Sequence, residues 1–163
     1  MQTFDITIED YDKNISTTDL AFFLLYFRDI YHVVELCAGC KEESIINLDE
    51  QELKKYVQKI WENISPESTF RALRPNMHPR HMLDPYWMPE ANIKESLSVE
   101  KINKNSPLEL TLCGISIALT VAVIFSGGSI EVSDKKIKCT LPPLGEGIRR
   151  LREAINKKLL EFK

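Results

Sequence analysis

The chain has 163 residues, of which 44% are hydrophobic and 28% charged, and its formal net charge is −3 at pH 7. This length and composition are typical of one globular domain and exclude a disordered or collagen-like chain. The slightly acidic balance excludes attachment to nucleic acid through bulk positive charge, so we expect no nucleic-acid partner.

The first part of the chain predicts one strand and two helices. Residues 3–9 alternate β-branched or aromatic side chains with polar ones, which is the period of a strand with one buried face. A first helix is predicted over 18–37, with Ser16 at its N-terminal cap, and it is apolar almost all round near its middle. A second, amphipathic helix is predicted over 49–63.

A proline-rich segment interrupts this pattern. A short helical turn capped by Ser65 leads into it, and we predict an irregular loop over 74–95, because its four prolines forbid a continuous helix or a central strand. Long loops inside a compact domain are uncommon and are often functional. Binding of a small ligand through this loop is therefore one possible function.

The remainder predicts a small sheet with two more helices. Strands are predicted over 97–103, 108–112, 129–133 and 136–141, and helices over 114–126 and 146–161, the last of them amphipathic. We therefore predict a single domain over 1–163 of the α+β class, with a small antiparallel or mixed sheet.

The stretch 107–127 is the main ambiguity, because Leu110 to Ile130 contains no charged residue and is long enough to cross a bilayer as a helix. However, Leu108, Leu110 and Leu112 alternate with more polar residues, which indicates a strand. The helix that remains would have about 12 residues, a length typical of a buried core helix. We favour that interpretation, and a membrane-anchored protein with a single span near 107–127 is the alternative.

The apolar first helix and two further sets of residues are candidate contact surfaces. Small side chains recur at every fourth position of the predicted helix 114–126, where another backbone can approach closely, either within the chain or from a second subunit. The C-terminal helix carries an apolar stripe. The candidate interface residues are Gly114, Ala118, Ala122, Ser126, Leu151, Ile155 and Leu159. We therefore expect a small, non-catalytic protein that associates with itself or with a protein partner through apolar helices.

A metal site is a further possibility. Cys37 and Cys40 lie at the end of the first predicted helix, and His78 and His81 lie in the proline-rich loop. Two thiolates and two imidazoles can complete a tetrahedral zinc site. The long gap between the two pairs is unlike compact zinc fingers, and ordinary thiols and loop histidines explain the same residues. Zinc is therefore considered as an alternative, and no cofactor is assigned.

No sequence motif points to catalysis. The chain contains no nucleophile elbow, phosphate-binding glycine loop, dinucleotide fingerprint or HExxH pair, so we assign no catalytic residue and favour a non-enzymatic role. The first residues lack the basic and apolar regions of a secretory signal, so we expect a cytoplasmic protein.

The charges are unevenly distributed along the chain. Residues 1–50 contain three basic and eleven acidic residues, 3 − 11 = −8, and residues 135–163 contain nine basic and three acidic residues, 9 − 3 = +6. Such ends can attract one another within one chain or between neighbouring chains, or lie on separate solvated faces.

Overall fold

The computed structural model describes residues 2–9, 15–37, 48–77, 97–103, 107–133 and 136–161. Within these residues the chain forms five strands and five helices, which confirms the predicted α+β class. In chain order they are β1 (Gln2–Ile8), α1 (Thr17–Cys37), α2 (Glu50–Asn63), α3 (Pro66–Met77), β2 (Ser98–Asn103), β3 (Leu108–Gly114), α4 (Ser116–Phe125), β4 (Ser129–Ser133), β5 (Lys136–Leu141) and α5 (Leu144–Leu160).

The five strands form one mixed sheet in the order β2-β3-β1-β5-β4. β1 runs parallel to β5, and every other neighbouring pair is antiparallel. Alternate residues point to opposite faces of a strand, so Phe4, Ile6 and Ile8 are buried beneath the helices while the residues between them belong to the other, open face. The same alternation buries Leu108, Leu110 and Leu112.

Helix α4 lies at the centre of the molecule. It contacts β1 and β4 as well as α1, α2 and α5, which explains why eight of its ten residues are buried. At its N-terminal end the Tyr31 hydroxyl accepts a hydrogen bond from the Ile115 N–H at 2.9 Å. At its C-terminal end Gly127 has a φ of 87°, and the Gly128 N–H donates to the Val123 carbonyl at 3.0 Å, which together form a Schellman stop.

The uncharged stretch 107–127 is therefore not one helix. It contains strand β3 and then the ten-residue helix α4. In the part of the chain that the structure describes, no helix combines the length and the apolar character needed to cross a membrane.

The outer helices are held to this centre by side chains. Asp49 and Glu52 form a capping box at the start of α2, which stabilises a helix end by satisfying free N–H groups. The Trp61 ring lies 5.1 Å from the Phe125 ring between centroids, joining α2 to α4. The buried Lys158 ammonium lies 6.0 Å from the Trp61 ring centre and 3.4 Å from the Glu62 carbonyl oxygen, so it joins α5 to the end of α2.

Two predicted boundaries were wrong. Residues 74–77, predicted as the start of the loop, instead continue α3 to Met77; the rest of the predicted loop, 78–95, lies outside the described residues. Proline removes one N–H donor, but its fixed φ is compatible with a helix, so Pro75 does not end α3. Gly114 was predicted to be the first residue of a helix, but it is the last residue of β3, and α4 begins at Ser116.

The described parts of the acidic and basic ends of the chain lie side by side. Strand β1 pairs with β5, and helix α1 packs against α5. The opposite net charges of these two segments can therefore attract one another within one chain.

Candidate binding surfaces

The solvent-facing side of α1 carries several large apolar side chains. The Ser16 side chain caps the helix by accepting a hydrogen bond from the Thr18 N–H at 3.2 Å. One side of α1 is in the core, but a helix that is apolar almost all round leaves some large side chains uncovered. Phe22, Leu25 and Leu36 are 49%, 41% and 59% exposed, and we call these three residues the α1 surface.

The opposite side of α1 is tightly packed, so its orientation is fixed. The rings of Phe23 and Phe27 lie 5.6 Å apart between centroids and are both buried. A Cβ added to Gly147 would lie 3.1 Å from the Phe23 ring, so α5 approaches α1 closely at that glycine. The exposure of Phe22 and Leu25 therefore follows from the packing of their immediate neighbours.

The predicted small-residue stripe is covered by the chain itself. Ala118, Ala122 and Ser126 are each 0% exposed, and Gly114 is buried against the Tyr31 hydroxyl. The close approach expected of small residues thus occurs inside the molecule. A contact of these four residues with a second subunit stays a prediction, and it would require the helices around α4 to separate.

The apolar stripe of α5 is also largely internal. Leu151 and Ile155 are buried and Leu159 is half-buried against the core. The exposed apolar residue of this helix is instead Leu160, at 63%. A role for Leu151, Ile155 and Leu159 in association likewise stays a prediction.

The open face of the sheet carries a row of polar side chains. The registers align Lys101, Thr111, Asp5, Lys138 and Glu131 across all five strands. The Thr111 hydroxyl donates to the Asp5 carboxylate at 3.1 Å. These side chains line a shallow cavity of about 490 Å³. Charges of both signs are interspersed along the row, as is typical of a solvated face.

Strand β2 forms one edge of the sheet. Five of its six residues are exposed and the sixth is half-buried. Val99 and Ile102 are 45% and 44% exposed, although they lie opposite the buried Leu112 and Leu110 of β3. Apolar side chains therefore continue the core face of the sheet out to its edge.

The proposed metal ligands fall mostly outside the described residues. Only Cys37 is among them; Cys40, His78 and His81 are not, so the zinc site stays a prediction. Among the residues that the structure describes, no three His, Cys, Asp or Glu side chains are grouped to hold a metal ion. Burial raises the pKa of the Cys37 thiol, which disfavours the thiolate that a metal requires.

A second thiol, Cys139, lies in the core face of β5. Burial, and secondarily the nearby Asp5 carboxylate, raise its pKa to about 12. A thiol with such a pKa stays protonated at neutral pH and is a poor nucleophile. Cys139 is therefore a packing residue.

Comparison of the chain with models of protein families, with curated proteins and with solved structures gives no match. The function proposed below accordingly depends on the geometry of this chain alone.

The sequence predicted the apolar first helix as a contact surface without identifying its exposed residues, and it gave no sign of the exposed apolar residues of β2. The all-round apolar character of α1 signals that some of its side chains remain uncovered, but it does not show which ones. The exposure of Val99 and Ile102 depends on β2 being an edge strand, and strand order is a property of the whole fold.

Proposed function

We propose that this chain is a non-catalytic, cytoplasmic binding protein that contacts protein chains, including further copies of itself, through the α1 surface. The observation that carries the proposal is the exposure of Phe22 and Leu25, two large apolar side chains three residues apart on one face of a helix. Residues at this spacing are neighbours on a helix surface, so they form one continuous patch.

Contiguous apolar patches commonly mark contact sites, whereas single exposed apolar residues are ordinary. Aromatic side chains are also enriched among the residues that dominate binding energy. Phe22 and Leu25 together meet the first criterion, and Phe22 also meets the second. The stripe on α4 does not, because its residues are already in contact within the chain.

The experiment measures mass in solution as a function of protein concentration. Sedimentation velocity is recorded for the wild type, for the double variant F22S/L25S and for the control L160S. The control removes an even more exposed leucine from a different helix, so it tests whether loss of surface apolarity alone changes the result. Circular dichroism verifies that each variant retains its helix content.

We expect the average mass of the wild type and of L160S to rise with concentration above the monomer value of 18.8 kDa. F22S/L25S should stay closer to the monomer across the same range, because its two serines offer no apolar area to bury. An identical concentration dependence for F22S/L25S and the wild type would show that Phe22 and Leu25 do not form the contact, and would refute the proposal.

A further inference from the structure

Strand β2 has one hydrogen-bonded strand neighbour, β3, among the described residues. The backbone of an edge strand can pair with another strand along its outer side. Its six residues are exposed or half-buried, so this edge is accessible from solvent.

The six residues of β2 form a palindrome when each is classified as polar, apolar or charged. Reading inward from its ends, Ser98 matches Asn103 as polar residues and Val99 matches Ile102 as β-branched apolar residues. At the centre, Glu100 and Lys101 carry opposite charges. An antiparallel pairing of β2 with a second copy of itself would place each residue opposite its match.

The local geometry of β2 makes this pairing sterically consistent. Residues directly opposite one another across a strand pair point to the same face, whereas residues three apart in a regular strand point to opposite faces. In β2 the register shifts at Glu100, so that Val99 lies opposite Leu112 and Ile102 opposite Leu110. Because of this one-residue bulge, Val99 and Ile102 share the core face of the sheet.

We propose that β2 pairs antiparallel with β2 of a second copy about a two-fold axis between Glu100 and Lys101, joining the two sheets edge to edge. The contact is isologous, since each match occurs twice. From one copy to the other the opposed residues are Ser98 with Asn103, Val99 with Ile102, and Glu100 with Lys101.

The opposite edge strand does not have this property. In β4 the same operation would place Ile130 opposite Val132, but it would set Glu131 against its own copy on the axis. Like charges directly opposite one another destabilise a strand pair. Charge complementarity therefore selects β2 over β4 as the edge that joins two copies.

The predicted dimer is weak, because one pair of short strands buries less area than a standard protein interface. The bulge and Lys101 also discourage pairing with unrelated strands, as they do at other sheet edges. A second copy removes the obstacle of Lys101, because it brings Glu100 opposite that residue, and its own bulge lies at the same position. We expect a dissociation constant on the order of 0.1 mM.

The test uses charge reversal, monitored by sedimentation equilibrium up to about 1 mM protein. All variants are made in the F22S/L25S/L36S background, so that the α1 surface contributes no apolar side chain and failure of the two proposals can be told apart. The variants are E100K, K101E and the doubly reversed E100K/K101E. E131K is the matched control, because it reverses an exposed charge on the other edge strand.

E100K and K101E should each weaken the dimer at least about tenfold, because each sets like charges against one another twice. An equimolar mixture of the two should recover the dimer, because both central pairs of a mixed dimer are attractive, and E100K/K101E should recover it alone. E131K should match the parent. A monomeric parent at all concentrations, or a mixture no heavier than its components, would overturn the proposal.

Discussion

Replacing Thr120 with valine is expected to stabilise the protein. Thr120 is 1% exposed at the centre of α4, and its hydroxyl oxygen has no hydrogen-bond partner among the described residues. Burying an unpaired hydroxyl costs about 1–3 kcal/mol. Valine keeps the β-branched shape and has a similar helix propensity. We therefore expect T120V to raise the free energy of unfolding by about 1 kcal/mol.

A second buried hydroxyl, at the C-terminal cap of the same helix, provides the matched control. Ser126 is 0% exposed, and its hydroxyl donates to the Val123 carbonyl at 2.6 Å. That carbonyl also accepts the Gly128 N–H at 3.0 Å, so S126A leaves no acceptor unpaired. The loss should then be that of one net hydrogen bond, about 0.5–1.5 kcal/mol. Removing a buried hydroxyl is thus predicted to raise the free energy of unfolding at Thr120 and to lower it at Ser126.

Urea unfolding followed by circular dichroism measures both effects, as midpoint shifts at constant slope. For a chain of this size, 1 kcal/mol corresponds to a change in melting temperature of about 2–4 °C. If T120V were destabilised as much as S126A, the Thr120 hydroxyl would have to be satisfied in solution, and the reasoning from its burial would be refuted.

Three further predictions concern other parts of the core. Y31F removes the acceptor of the Ile115 N–H and should lower the free energy of unfolding by about 1–3 kcal/mol in the same urea assay; an unchanged midpoint would contradict this. The folded state raises the pKa of the Cys139 thiol from 9.0 to about 12, so between these pH values the folded protein keeps a proton that the unfolded chain releases. The stability that depends on the protonated thiol is therefore fully present below pH 9 and is lost as the pH rises to 12. Urea titrations across that range should show a decline, by up to about 1.4 kcal/mol per pH unit, that C139A lacks; equal slopes would exclude the effect. G127A should lose about 1–2 kcal/mol, since alanine disfavours a φ of 87°, whereas G145A, which meets no atom within 4 Å, should gain up to about 1 kcal/mol; equal midpoints for the two would contradict this.

Much of the fold could be predicted because local patterns and tertiary packing agree. The alternation of Leu108, Leu110 and Leu112 predicts a strand, and all three side chains are buried on one face of β3. What local patterns could not supply was the start of α4. That boundary depends on the Tyr31 hydroxyl, which is 84 residues away along the chain and binds the Ile115 N–H.

The candidate contact surfaces were harder to predict for a related reason. A stripe of small residues such as Ala118 and Ala122 indicates that another backbone comes close, but not which chain supplies it. Here α1, α2 and α5 of the same chain surround α4, so the close contact that the small residues allow is made within one molecule. By contrast, Phe22 differs from the buried Phe23 only by one position on α1, and that position alone determines its exposure.

The symmetry argued for β2 depends on fold and sequence together. A six-residue palindrome in a central strand would have no free edge, and its matches would never meet. In a regular strand Val99 and Ile102 would lie on opposite faces, so an antiparallel pairing could not oppose them. The edge position makes β2 accessible to a second copy, and the bulge at Glu100 brings both apolar residues to the core face. The bulge is therefore as necessary to the proposed dimer as the charges.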